Sequence, residues 1–124
     1  INSKKVLCLP AIKSKKKALF FRQYDSLTNM KIGYYKIMEP NQKSLILDPD
    51  LLLIPCVGYD KFGNRIGYGG GYYDMTINKM KRLKPNLVTI IVAHSLQEVE
   101  NIVCENFDEK IDYILNEKNL VKAK

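Results

Sequence analysis

The sequence predicts an α/β fold in which a mainly parallel sheet is covered by helices. Three observations carry that expectation. Leu51, Leu52, Leu53 and Ile54 form an uninterrupted apolar run between Asp48-Pro49-Asp50 and Pro55, and residues 87–93, LVTIIVA, form a second. Between the two lie a glycine-rich loop and a segment whose apolar residues recur at near-helical spacing. Strand, loop, helix and strand in that order make a βαβ unit, whose strands lie parallel in one sheet.

Taken in chain order, residues 6–9 are a short apolar run closed by Pro10, and 18–21 are another. Lys13, Lys15, Lys16 and Lys17 lie between them, so the pair reads as neighbouring strands joined by a solvated turn. Residues 25–29 suit a turn or one short helix. Residues 31–38 hold Gly33 and two tyrosines without a helical stripe and read as loop. The run 51–54 has the composition of a central strand covered on both faces. Val57, Gly58 and Tyr59 continue it weakly, and 60–64 form a turn. Over 72–84, Tyr72, Tyr73, Ile77, Met80 and Leu83 follow the helical period, with lysines between and Pro85 beyond the end. Residues 87–93 suit a buried strand, 96–103 a short helix and 111–115 a last strand.

A chain of 124 residues, 46% hydrophobic and 27% charged, is one domain's worth of globular protein and needs no disulfide or metal staple. No run approaches the roughly 18 apolar residues of a membrane span. Cys8, Cys56 and Cys104 are far apart and form no C-x-x-C pair. That spacing argues against a zinc site and a disulfide framework, and predicts small buried hydrophobes in a reducing cytoplasm. Lys and Arg outnumber Asp and Glu by 20 to 13, a net charge of +7. Nucleic acid, an anionic membrane face and a polyanionic small ligand all fit such a balance. The lysine-rich turn has no aromatic residues interleaved for base stacking, which argues against nucleic acid.

Residues 65–74, RIGYGGGYYD, carry the chemistry. Gly67, Gly69, Gly70 and Gly71 strip side chains from the backbone, so consecutive N–H groups can turn toward an anion. Asp74 follows where a helix can begin, and Arg65 offers a planar cation suited to phosphate oxygens. A plain chain reversal between strand and helix is the simpler reading of the same glycines. A Walker A loop is excluded because no Gly-Lys-Ser/Thr occurs, and a Rossmann fingerprint from Gly67 would need a small residue where Tyr72 stands.

The block LLLIPCVGYDKFGNRIGYGGGYYD resembles the signature of the 5-formyltetrahydrofolate cyclo-ligase family. Leu9-Pro10, Gly33, Glu39-Pro40, Pro55, Gln97, Asp108, Asp112 and Glu117 resemble that family in order, so the likeness spans nearly the whole chain. It implies a three-layer sandwich, with a mainly parallel central sheet flanked by helices, and an ATP- and Mg²⁺-dependent closure of 5-formyltetrahydrofolate to 5,10-methenyltetrahydrofolate. On this resemblance Arg65, Ile66, Gly67, Tyr68, Gly69, Gly70, Gly71, Tyr72 and Tyr73 bind ATP, Arg65 and Tyr73 act in catalysis, and Asp74 and Asp112 hold Mg²⁺. Glu39, Met38, Tyr72 and Tyr73 border the folate. Tyr72 and Tyr73 equally suit a helix, one ring inward and one outward. Phe20 is a weaker pocket candidate, and His94, the single histidine, reads as structural.

Against the family pattern, Cys56 replaces a usual glycine, Met75 a basic residue, and Phe107 and Asn116 the typical His and Thr. Tyr68 and Gly70 stand at variable loop positions. Family members begin with a helical segment whose cations reach the ATP phosphates, and it has no counterpart before Ile1. The expectation is therefore one cyclo-ligase-like domain over 1–124, amino-terminally truncated, monomeric and cytoplasmic. Competing readings are a folate or nucleotide binder without ligase activity, a basic nucleic-acid-associated module, and a sugar-phosphate isomerase or acyl-transferase on a similar sheet.

Overall fold

The computed structural model describes residues 5–103 and 109–124. Cys104, Phe107 and Asp108 lie outside the described residues. The chain opens with an antiparallel hairpin of β1 (Leu7–Ile12) and β2 (Leu19–Tyr24), in register from Leu7 opposite Tyr24 to Ile12 opposite Leu19. A second hairpin follows, β3 (Met30–Ile32) and β4 (Met38–Pro40), joined by a tight turn at Tyr34–Lys36. Residues 31–38 are thus not plain loop. Their strands are too short for a period to register in sequence. β5 (Ile46–Leu47) adds to β2 and completes a three-stranded sheet.

The larger sheet is built on β6 (Leu51–Ile54). After it come β7 (Gly58–Tyr59) and β8 (Arg65–Ile66), a small antiparallel pair, then α1 (Tyr72–Leu83) and β9 (Val88–Val92). β9 runs parallel to β6, with Leu52 beside Thr89 and Ile54 beside Ile91, which is the expected βαβ unit. β10 (Tyr113–Leu115) is parallel to β9, and β11 (Leu120–Lys122) returns antiparallel, giving the order β11-β10-β9-β6.

Three expectations need correction. β6 is the edge of its sheet rather than its centre, and it is covered on one face. Leu52 and Ile54 are buried while Leu51 and Leu53 are 49% and 57% exposed. An all-apolar run of four hides the alternation that would have revealed an open face. Gly58 and Tyr59 do not prolong β6 but form the separate pair with β8. Instead of a helix over 96–103 there is one 3₁₀ turn, Ser95–Gln97. Among the described residues α1 is the one α-helix.

The inward face gathers Ile54, Ile91 and Ile114 in one row across β6, β9 and β10, each at most 2% exposed. Burying each such side chain contributes about 1.5–3 kcal/mol. α1 turns Thr76, Ile77 and Met80 onto this core, and β2 brings Leu19 and Phe21 to it. The buried Thr76 hydroxyl accepts the Leu19 N–H at 2.8 Å and donates to the Tyr72 carbonyl at 2.6 Å, so helix and hairpin are joined by hydrogen bonds as well as packing.

Asp60, fully buried, governs the turn between β7 and β8. One oxygen accepts the N–H groups of Phe62 and Asn64, the other the Asn64 side-chain amide and the Ile102 N–H, all at 3.0 Å. Burial pushes the Asp60 pKa up, but these hydrogen bonds outweigh it and hold the carboxyl below its ordinary value. A depressed carboxyl stabilises the fold above its unfolded pKa, and that share disappears as pH falls through the folded value. Asp60→Ala is expected to cost about 3–5 kcal/mol in urea unfolding at neutral pH, because four donors lose a buried partner. Below about pH 4 the deficit should shrink as the wild type protonates. A constant deficit from neutral to acid pH would remove this role from the carboxylate.

Candidate active site

Three walls enclose a cleft of about 910 Å³. The β1–β2 hairpin contributes Pro10, Ile12 and Leu19; the β3–β4 hairpin contributes Tyr35, Ile37 and Glu39; the glycine loop and the first turn of α1 supply the third wall. The loop sits beyond the carboxyl end of β6, since Arg65 Nη1 donates to the Pro55 carbonyl (3.3 Å) and the Tyr68 hydroxyl donates to the Cys56 carbonyl (3.2 Å). Ligands of parallel sheets bind at that end.

Arg65 is placed by β8 and lies on the Tyr73 ring, its guanidinium carbon 5.6 Å from the ring centre. A Cβ on Gly67 would stand 2.9 Å from Arg65 Nη1, so glycine is what lets the backbone pass over the guanidinium. Gly71 caps α1 in the left-handed conformation, φ 70°, with no side-chain hydrogen bond at the cap. The first-turn amides of α1 are therefore left without a capping side chain, and such amides attract anions. Gly69 is also left-handed, and nothing lies within 4 Å of a Cβ at Gly69 or Gly71, so this backbone faces open space. Asp74, in the first turn, lines the same cleft.

Burial, augmented by the nearby Tyr68, raises the Tyr73 pKa against the lowering effect of Arg65. Tyr73 is thus a neutral phenol at physiological pH, able to donate a hydrogen bond. The Tyr72 pKa is raised too, first by its hydrogen bond with Tyr35, whose hydroxyl is 3.3 Å away. The two rings meet edge to face at 6.4 Å. Glu39 is 6% exposed: its Oε2 accepts the Ile12 N–H at 3.3 Å and its Oε1 lies 3.7 Å from Lys31 Nζ.

The structure brings Arg65, Gly67, Tyr68, Gly69, Gly70, Gly71, Tyr72, Tyr73, Asp74 and Glu39 to one cleft. Ile66 and Met38 do not line it. Met38 precedes Glu39 on a strand, so alternation sends it to the other face, where it is 52% exposed. Phe20 is likewise outside, under the Arg22 guanidinium. Asp112 lies just before β10 and does not line the cleft. Its Oδ2 accepts the N–H and hydroxyl of Thr89, joining β10 to β9. Among the described residues no three His, Cys, Asp or Glu side chains form a metal-binding group. The resemblance would place magnesium on Asp74 and Asp112, of which Asp74 lines the cleft, and magnesium commonly completes its shell with water and substrate phosphate.

His94 caps the Ser95–Gln97 turn: Nδ1 accepts the Leu96 N–H and Nε2 lies 3.1 Å from Glu117. Hydrogen bonds from the Ser95 hydroxyl and N–H, helped by His94, hold Glu117 down at about 2. Gln97 donates to the carbonyls of Cys56 and Val57, tying this turn to the segment after β6. These residues position backbone and stand outside the cleft. Tyr35 is a polar cleft residue that the sequence does not single out, as it does not the apolar Ile12, Leu19 and Ile37. Its only signal was a tyrosine pair shortly before Glu39-Pro40.

The sequence matches the family model described as the 5-formyltetrahydrofolate cyclo-ligase family over residues 1–117. It is 37% identical over 101 residues to the 5-formyltetrahydrofolate cyclo-ligase of Haemophilus influenzae, covering 78% of this chain and 53% of that protein. With the Escherichia coli K12 protein of the same name it shares 33% over 94 residues, 73% of this chain and 50% of the relative. The solution structure of Aquifex aeolicus 5,10-methenyltetrahydrofolate synthetase superposes with a TM-score of 0.76 at 28% identity, over 98% of this chain and 60% of that one. The chain spans about half the length of the curated relatives it matches. With the family model matching residues 1–117 and the fold in agreement, the chain belongs to the 5-formyltetrahydrofolate cyclo-ligase family.

Proposed function

We propose that this cleft serves an ATP- and Mg²⁺-dependent cyclisation of 5-formyltetrahydrofolate to 5,10-methenyltetrahydrofolate, with release of ADP and phosphate. The observation that carries the reading is the meeting of the uncapped amides of α1, the open glycine backbone and Arg65 at one end of a cleft whose other wall holds Glu39. One end suits a polyphosphate and the other a heterocycle with hydrogen-bond donors.

A formyl amide is a poor electrophile because nitrogen donation blunts its carbonyl. Transfer of the γ-phosphoryl group to the formyl oxygen makes that oxygen a leaving group. N10 then attacks the formyl carbon, phosphate departs, and the five-membered ring closes at high effective concentration. The chain's part is to hold and orient. The loop amides bind phosphate oxygens, and Arg65, braced by Pro55 and Tyr73, faces charge that shifts during phosphoryl transfer. Tyr73, neutral, donates a hydrogen bond without serving as a base. Glu39 accepts from the pterin, and the rings of Tyr72 and Tyr35 border it. Magnesium, when bound, neutralises the triphosphate. Asp74 would hold it, with Asp112 as the second acidic position that the resemblance implies. The three-layer arrangement of the family belongs to this proposal as well.

The direct test follows the near-ultraviolet absorbance of methenyltetrahydrofolate after mixing the chain with 5-formyltetrahydrofolate, ATP and magnesium. Product that requires both ATP and magnesium is expected. Its absence from a folded chain that still binds both ligands would make this a binding protein instead.

Arg65→Ala and Asp74→Asn should each lower turnover on the order of a hundredfold or more while the protein still folds cooperatively. Turnover unchanged in both would end the site assignment. Asp112→Asn separates two roles: weaker magnesium activation at unchanged stability marks a ligand. A lower unfolding midpoint with unchanged magnesium dependence marks a tie between β9 and β10.

A further inference from the structure

Lys16, Tyr35 and Lys36 are the non-glycine residues with left-handed backbone among the described residues, at φ 60°, 56° and 58°. Such conformations cost about 1 kcal/mol or more each and gather at ligand clamps. Tyr35 lines the cleft, Lys36 follows it in the chain, and Lys16 lies in the turn between Ile12 and Leu19, which line it too. Ile12 and Leu19 line the cleft and face each other as the last pair of the β1–β2 ladder, so the turn that joins them, with Lys13, Lys15, Lys16 and Lys17, rises from the cleft wall. The foot of that turn is held to α1 by the Leu19 N–H on Thr76, whose hydroxyl bonds the Tyr72 carbonyl, and Tyr35, next to Lys36, meets the Tyr72 hydroxyl from the other hairpin.

The two turns therefore converge on Tyr72 and bring five lysines with them. All five are exposed, and neither KSKKK nor GYYKI contains a carboxylate. Among the described residues none of the five forms an ion pair, whereas Lys31, Lys81 and Lys84 each have one. Four like charges within five residues repel one another, and a cleft with low-dielectric walls focuses their field on its opening. The carboxylates that line the cleft do not cancel it from the rim: Glu39 is buried beside Lys31, and Asp74 belongs to the first turn of α1.

We infer that Lys13, Lys15, Lys16, Lys17 and Lys36 form a cationic rim that holds a polyanionic end of the cleft's ligand. That end is either the triphosphate of the nucleotide or the carboxylates of a folate carrying several glutamates. The naming of these two sources rests on the proposed function. The rim itself rests on the convergence of the two turns.

The test is calorimetric titration of wild type and a variant combining Lys13→Gln, Lys15→Gln, Lys17→Gln, Lys16→Asn and Lys36→Asn, asparagine being the better tolerated at left-handed positions. Probes are inorganic tripolyphosphate, Mg-ATP, and 5-formyltetrahydrofolate with one or with five glutamates. The variant should bind one class of polyanion about tenfold more weakly at low salt, the combined effect of several exposed ion pairs that are individually weak. High salt should erase the difference, and the one-glutamate folate should bind both proteins alike. Loss confined to tripolyphosphate and ATP assigns the rim to the triphosphate, and loss confined to the five-glutamate folate assigns it to the carboxylates. Equal affinities of both proteins for every polyanion, or no polyanion binding by wild type, overturns the rim. A wild type that ignores the one-glutamate folate while the variant loses tripolyphosphate would refute the folate reading and leave the rim standing. Should the combined variant unfold, Lys15→Gln with Lys17→Gln must give a smaller loss of the same kind.

Discussion

The Asp60 carboxylate is the constraint on which the placement of the cleft depends. It is buried, ionised and satisfied by four donors from two separate stretches of chain. A charge in such a place is tolerated because every acceptor site is used, and each donor gains a charge-assisted partner. The result is a turn of fixed shape between β7 and β8. Its other face is tied to the segment just before β10 through the Ile111 N–H and the Gly63 carbonyl, 2.9 Å apart. Because β8 begins at Arg65, the direction in which the guanidinium leaves the sheet is set by this turn rather than by the glycine loop.

From there the site divides its labour between rigid and open parts. Arg65 is held by a carbonyl, an aromatic face and a backbone that passes directly over it, so little reorganisation remains when an anion arrives. The glycines beyond it offer amides with no side chains in the way. Preorganised cation and open amides together suit a group whose charge moves during reaction, since the cation cannot follow the charge and so rewards the geometry in which charge reaches it.

Much of this was legible in the sequence, and the gaps have physical causes. The helix expected over 72–84 is found at Tyr72–Leu83, and the run 87–93 contains β9 at Val88–Val92, because a sustained period and flanking prolines fix such elements locally. The glycine loop was readable because four glycines so close together have few other uses. What failed to register were strands of two or three residues, such as β4, β7 and β8, whose existence depends on partners far along the chain. For the same reason the position of β6 at the sheet edge escaped notice: burial of one face or two is decided by neighbours, and Leu51 and Leu53 are apolar in either case. Glu39 could be named from its likeness to a family position, yet its partner contacts with Ile12 and Lys31 join three strands that no local pattern links.

The cleft depends as much on one hydroxyl as on its charged residues. Thr76 sits one turn after Tyr72, fully buried, and bonds both the Tyr72 carbonyl and the first N–H of β2. The Leu19 N–H would otherwise be an unpaired donor at the top of a hairpin, and an unpaired buried donor costs about 1–3 kcal/mol. The bond therefore fixes how far the β1–β2 turn stands from the start of α1, the gap that Tyr72 spans. Glu39, accepting from the Ile12 N–H, does the same between β1 and β4. Two side chains with partners on other walls thus set the width of the cleft at its mouth. The loop behind them can stay open, because the distance across the site is kept by residues that lie beneath it.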